Sequence, residues 1–340
     1  MTITARRAVA PSEHTMGERL ADYVLPKIPT ERLTAAHGRA WVYPNRGLSF
    51  LQGGEKRQGK RFNWRRPYFT QVGEVLHCVA PPGHDYIHHY AELLRSACLL
   101  SGLPEERVDL ELPAEGHGRA FVDHWLPAEL PTADLVVLGY VEALWKNQGE
   151  WTHRPGFGWR AVRVGGATVL MLGCEFSFWG DLAGDLVSVL AQRTRTSGVL
   201  YVGKLGGLHP DMVPNTLVVT GTTTRLRDRP LAWNSFLDLT SAPPSVRPGV
   251  RHATLSSVMD ETRTWLDTHR LDTDVVDPEI GHMAQAATEA GIGFSYLHIV
   301  TDNLNGTHAH GLYAERSTPV ATRRQRCLHD IETVLNRSLT

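Results

Sequence analysis

The stretch 134-DLVVLGY-140 is apolar at four consecutive positions, Leu135 to Leu138, where a half-exposed strand would alternate. A strand of that kind is covered on both faces, as in a sheet sandwiched between helices. The same grammar starts earlier in the chain. The segment 74-EVLHCVA-80 predicts a strand, PPG a turn, 84-HDYIHHYAELLRSACLLSG-102 an amphipathic helix ending at glycine, and 108-VDLEL-112 another strand. This β-α-β rhythm predicts a parallel sheet. Further on, WRAVRVGG and ATVLMLG, joined by Gly165-Gly166, predict a hairpin. A helix over about 178–192 leads into 199-VLYVGKLGGLHP-210 and 216-TLVVTGT-222. Residues 223–251, rich in Pro, Arg and Ser, are expected to be loop, and two more helices are expected over about 261–269 and 321–335. The first 70 residues show only a short helix near 16-MGERLADYVL-25 and a basic run, 54-GEKRQGKRFNWRR-66.

With 340 residues, 42% of them hydrophobic, the chain can bury one large core or two unequal ones. We expect residues 1–130 to form an amino-terminal extension, partly α/β, and 131–340 the principal domain. Lys and Arg number 35 against 36 Asp and Glu, so overall charge offers no reason to bind nucleic acid or a membrane, and a small-molecule partner is expected. Cys78, Cys98, Cys174 and Cys327 lack CxxC spacing and read as buried free thiols. His84 with His88, and His308 with His310, come without a third ligand, so no metal and no cofactor is expected. The start of the chain lacks an apolar leader segment and no window reaches a membrane span, which predicts a cytoplasmic protein.

Two acids stand in conspicuous places. Asp277-Pro278 is a helix start, with Asp able to cap and Pro suited to the first turn, and this puts Glu279 just behind the end of a strand. The next apolar run, about 294–300, ends in Thr301-Asp302. Open α/β sheets bind ligands beyond strand ends, so both carboxylates are expected to face one crevice. The competing reading is that Glu279 only complements a helix dipole and Asp302 only begins a turn. Glu142 has a similar setting after Gly139, and the glycines of 203-GKLGGL-208 would let a ligand approach the backbone, although GxGxxG is absent. In the basic run, GGEKRQGKR imitates a phosphate loop, but Arg61 stands where Ser or Thr is needed. Trp179, Trp233 and Trp265 could each stack on a base or simply fill the core.

Taken in order, Gly139-Tyr140-Val141-Glu142, Gly203-Lys204-Leu205-Gly206-Gly207, Val276-Asp277-Pro278-Glu279 and His298-Ile299-Val300-Thr301-Asp302 resemble the motifs of the purine nucleoside phosphorylase and methylthioadenosine/S-adenosylhomocysteine nucleosidase superfamily. The resemblance covers about 134–335. It implies a mixed, mostly parallel twisted sheet flanked by helices, and a homo-oligomer. It also implies a nucleosidase that hydrolyses the N-glycosidic bond of a purine nucleoside or related N-riboside. In that scheme Asp302 is the acid at the leaving base, Glu142 activates the water, and Glu279 binds the ribose hydroxyls. Pro278, Thr301, Gly206, Gly207 and Lys204 adjoin the substrate, with Val258 and Met259 candidates for the base pocket. Tyr201 stands where the phosphorylases carry a phosphate-clamping arginine, which favours water as the nucleophile, while Lys204 keeps a phosphorylase open as the alternative. A catalytically inactive nucleoside-binding module is the other alternative.

Overall fold

The computed structural model describes residues 8–47, 60–306, 308 and 318–340. Its centre is the long strand Gly198–Gly207, around which a twelve-stranded mixed sheet changes partners. Leu135–Gly139 runs parallel to its first half, and Gly293–Asn303 runs parallel along nearly all of it. Val275–Asp277 pairs antiparallel with its last two residues. Outward from Leu135–Gly139 lie Ala167–Cys174, Phe157–Val164 and Thr152–Arg154; outward from Val275–Asp277 lie Arg251–Thr254, Thr223–Leu226 and Arg229–Ala232.

The continuous apolar strands are covered on both faces, as their sequence requires. Val136, Leu138, Leu170 and Leu172 pack in one core with helices His84–Leu100, Asp181–Thr194 and Ile280–Glu289. Their alternates Leu135, Val137, Val169 and Met171 pack in a second core with Leu328, Ile331 and Leu335 of helix Thr318–Ser338. Gly165 and Gly166, at φ +55° and +98°, close the expected hairpin between Val164 and Ala167.

The stretch expected to be loop holds structure. Thr223–Leu226 and Arg229–Ala232 form a hairpin turned by Arg227 and Asp228 at φ +50° and +63°, and Val246–Arg247 adds a short strand. Pro230 lies in the terminal strand of the sheet, where a missing N–H is tolerated, so proline and arginine there did not signify loop.

Before residue 130 a separate four-stranded sheet runs in the order Tyr68–Val72, Val75–Ala80, Ala40–Pro44, Val108–Leu110. Its core is not separate: Leu20, Val42, Leu76 and Leu93 belong to the same hydrophobic cluster as Leu182, Ala284 and Tyr296. The two parts are also joined by reciprocal helix caps. The Asp181 carboxylate accepts from the backbone N–H groups of His84 and Asp85 at 2.9 and 3.1 Å, and the Asp85 carboxylate accepts from that of Asp181 at 3.2 Å. Each acid thus lies at the positive end of the other's helix. Among the described residues no helix is long and apolar enough to cross a membrane.

Candidate active site

A cavity of about 350 Å³ opens where the central strand changes partners. Glu279 and Asp302 both line it, but not because their strands end at a common edge. Val275–Asp277 runs antiparallel to Gly198–Gly207, and Gly293–Asn303 runs parallel to it. The register puts Val276 and Asp302 both opposite Gly206, so this glycine is the meeting point. A Cβ there would come within 2.6 Å of Leu304 and 3.3 Å of the Asp302 carboxylate. A register shift between Val300 and Asp302 marks a bulge, a device that re-aims side chains at strand ends.

Asp277, 2% exposed, organises the floor. Its Oδ1 accepts from the N–H groups of Glu279 and Ile280 at 3.0 and 2.9 Å and so ties down the helix start, although the helix begins at Ile280 with Glu279 at its N-cap, two residues later than the place of Asp277 before proline suggested. His252 Nε2 lies 3.0 Å from Oδ1, and His298 Nε2 3.5 Å from Oδ2. Thr224 Oγ1 in turn contacts His252 Nδ1 at 2.7 Å. Burial pushes the Asp277 carboxyl up, but the hydrogen bonds and charges of His252 and then His298 outweigh it and hold the group well below the ordinary range. Glu279, 6% exposed, goes the other way: burial first, then the Asp277 charge and hydrogen bond, push its carboxyl well up, with Lys204 opposing.

Of the other expected residues, Pro278, Thr301, Gly206, Lys204 and Val258 line the cavity. Gly207 faces Met212, and Met259 is packed in the core at 1% exposure. Glu142 is not among the lining residues. Its side chain is 42% exposed and pairs with Arg61, whose Nε is 3.6 Å from Oε1. The cause lies beneath the turn: buried Arg160 donates to the carbonyls of Val141, Leu144 and Gln148, fixing a loop whose glutamate faces outward. Trp179 lines the cavity and stacks on His89 at 4.1 Å, whereas Trp233 packs on Phe294 and Trp265 on His269. His308 bonds the Pro210 carbonyl; His310, Lys56 and Arg57 lie outside the described residues.

Sequence reasoning missed three contributions. The region before residue 130 supplies much of one wall, including Tyr23, Lys27, Tyr86 and His89. His89 contacts Ser257 Oγ at 2.8 Å and is held neutral by burial. His252, expected nowhere, supports the floor. Glu261, at the end of the single turn Val258–Asp260, lines the cavity at 4% exposure; its position beside Val258 was the one available signal.

No family model matches the chain. A search of curated proteins finds oxidoreductase cns1 of Cordyceps militaris, 25% identical over 346 residues that cover 84% of this chain and 41% of that protein. The chain therefore spans about two-fifths of the length of the curated relative it matches. Among solved structures it is similar to the apo 5'-methylthioadenosine nucleosidase of Arabidopsis thaliana, at 14% identity and TM-score 0.46, over 62% of this chain and 97% of that one. It is similar also to the methylthioadenosine phosphorylase of Schistosoma mansoni in complex with adenine, at 13% identity and TM-score 0.44, over 61% and 91%. Likeness at these scores assigns no chemistry, which has to come from this chain's own side chains.

Proposed function

We propose that the cavity binds an N-riboside, with a purine as the expected base, and that the chain hydrolyses its N-glycosidic bond. The observation that carries this reading is that Asp302 and Glu279 line one cavity with an aromatic wall, where the strands leading to them meet at Gly206. Such a bond breaks through an oxocarbenium-like state, in which an acid at the departing base matters most. Asp302 is that acid in this reading. A protonated Glu279 has one oxygen that accepts and one O–H that donates, which suits the paired hydroxyls of a ribose. Trp179 and its stacked histidine offer a flat face to the base.

Hydrolysis is favoured by Tyr201 on the cavity wall, a phenol in the place where the resemblance puts a phosphate-clamping arginine. The outward-facing Glu142 gives no support to its expected part in activating water. Lys204, Lys27 and Arg66 on the lining favour a second reading, attack by phosphate. Product analysis with adenosine, inosine and methylthioadenosine, with and without phosphate, separates the two. Free base and free sugar without phosphate are expected; sugar 1-phosphate formed only with phosphate selects the second reading. The Asp302→Asn variant should lose ~10²–10⁴ in kcat while still binding the nucleoside. An unchanged rate would remove Asp302 from the acid role, and binding without cleavage by the unaltered protein would leave a nucleoside-binding module.

A further inference from the structure

One carboxyl on the cavity wall has no part in the reading above. Glu261 is 4% exposed, and its Oε2 accepts no hydrogen bond from any described residue. Its backbone is fixed at both ends: the N–H donates to the Val258 carbonyl and the carbonyl accepts from the Thr15 N–H, each at 3.1 Å. The side chain is therefore held on the wall of the cavity that Asp302 also lines. A buried acceptor with nothing to accept costs stability, and such positions persist where a ligand or a reaction uses them.

We propose that Glu261 and Asp302 hold one proton between them, and that this shared proton is the one delivered to the leaving base. The inference rests on the N-glycosidase reading of the cavity. Glu261 acts on the substrate through Asp302 and is in that sense a positioning residue. Two carboxyls sharing a water-poor site do not both ionise near neutral pH, because the second charge would meet both the first and the desolvation cost. Burial, then the charges of Asp302 and Asp260, push the Glu261 carboxyl well above the ordinary range, which agrees with a pair that stays singly protonated.

The chemistry balances without a third acid. As the C1′–N bond breaks, its electron pair moves onto the base and the shared proton goes to the base nitrogen. Both carboxylates are then ionised beside the oxocarbenium ion, which they stabilise. When a water oxygen bonds C1′, the proton it sheds returns to the pair. The pair is acid in the first step and base in the second, so an outward-facing Glu142 is no obstacle.

Few other groups can supply the titration. Asp260 sits beside Glu261 in the same turn. His14, from the segment packed on that turn, bonds the Val258 carbonyl and is lowered to about 4 by burial, with Arg263 adding to the effect. His89 is held neutral by burial, and the other charged side chains on the lining are Lys27, Lys60, Arg66, Lys204, Asp277 and Glu279, alongside tyrosines and Cys174.

The test has two arms on the full chain. The first is a titration of the ligand-free protein, following protonated-carboxyl carbonyl signals in infrared difference spectra. Unaltered protein should show, besides the carboxyl of Glu279, a second one that remains protonated to neutral pH; this second signal should be absent in Glu261→Gln and shifted to lower pH in Asp302→Asn, while the Glu279 signal stays in both. The second is the pH profile of kcat/KM. Glu261→Gln should move the alkaline limb down by about one pH unit or more and cost ~10²-fold at neutral pH with KM little changed. Glu261→Asp should restore the limb. A limb that stays in place in Glu261→Gln, even with a lowered rate, overturns the inference, and so does a titration showing both groups ionised at neutral pH. If the unaltered protein cleaves no riboside while the shared titration is present, the N-glycosidase reading fails and takes the catalytic role of the pair with it, leaving the shared proton as a property of the cavity alone.

Discussion

Asp277 and Glu261 line the same cavity and are almost equally buried, yet their carboxyls are driven in opposite directions. Two histidines stand within 3.5 Å of Asp277, and its Oδ1 accepts from two N–H groups at a helix start, which together hold its carboxyl down. Glu261 has an oxygen that no described residue bonds, and burial, then the charges of Asp302 and Asp260, push its carboxyl up. The contrast shows that desolvation sets the stakes and partners decide the outcome. A site built this way has a charged floor that does not titrate in the working range and a wall acid that can.

The most damaging way to break the comparison is Asp277→Asn, which strands two buried histidines. We expect a loss of about 3–5 kcal/mol in unfolding free energy, measured by chemical denaturation. A loss below about 1 kcal/mol would mean the histidine contacts contribute little. Asp85 sharpens the point with a single histidine partner, His282 at 2.8 Å. Burial raises its carboxyl, but His282 outweighs that and brings it from 3.8 to about 2. A depressed carboxyl stabilises the fold above its ordinary value, and that stability is lost as pH falls. About 2 kcal/mol should therefore disappear between about pH 4 and about pH 2, and the stability gap between the unaltered protein and Asp85→Asn should close over that window. The smallest effect has the opposite sign. Glu261 is raised above 4.5, so its contribution is present at acid pH and lost as pH rises. Glu261→Gln should then stabilise the neutral protein by on the order of 1 kcal/mol while slowing it, a gain visible in its melting temperature and absent at pH 4.

What could be read from the sequence was local. Continuous apolar runs gave the doubly covered strands, paired glycines the hairpin, and Asp277-Pro278 the helix start with its capping oxygen. The placing of Glu279 and Asp302 in one cavity also followed from local signs, although the strands that bring them there run in opposite directions. What stayed hidden depends on partners far along the chain. Glu142 is turned outward by Arg160 below it and Arg61 beside it, the latter 81 residues away. His89 reaches Ser257 across 168 positions, and nothing in the helix His84–Leu100 announces that it walls a cavity. Thr224 lies in the stretch whose proline and arginines suggested loop and His252 just past its end, so their contact beneath Asp277 left no periodic trace.

The single hydrophobic cluster running from Leu20 through Leu93 to Ala284 has a consequence for evolution and for handling the protein. A shortened chain beginning near residue 131 would not be a smaller protein with an open cleft. It would present the flank of helix Asp181–Thr194, which helices His84–Leu100 and His117–Trp125 cover, to water as a greasy face, and self-association into aggregates would follow. The amino-terminal region is thus no detachable accessory, since its core residues are continuous with those of the larger sheet.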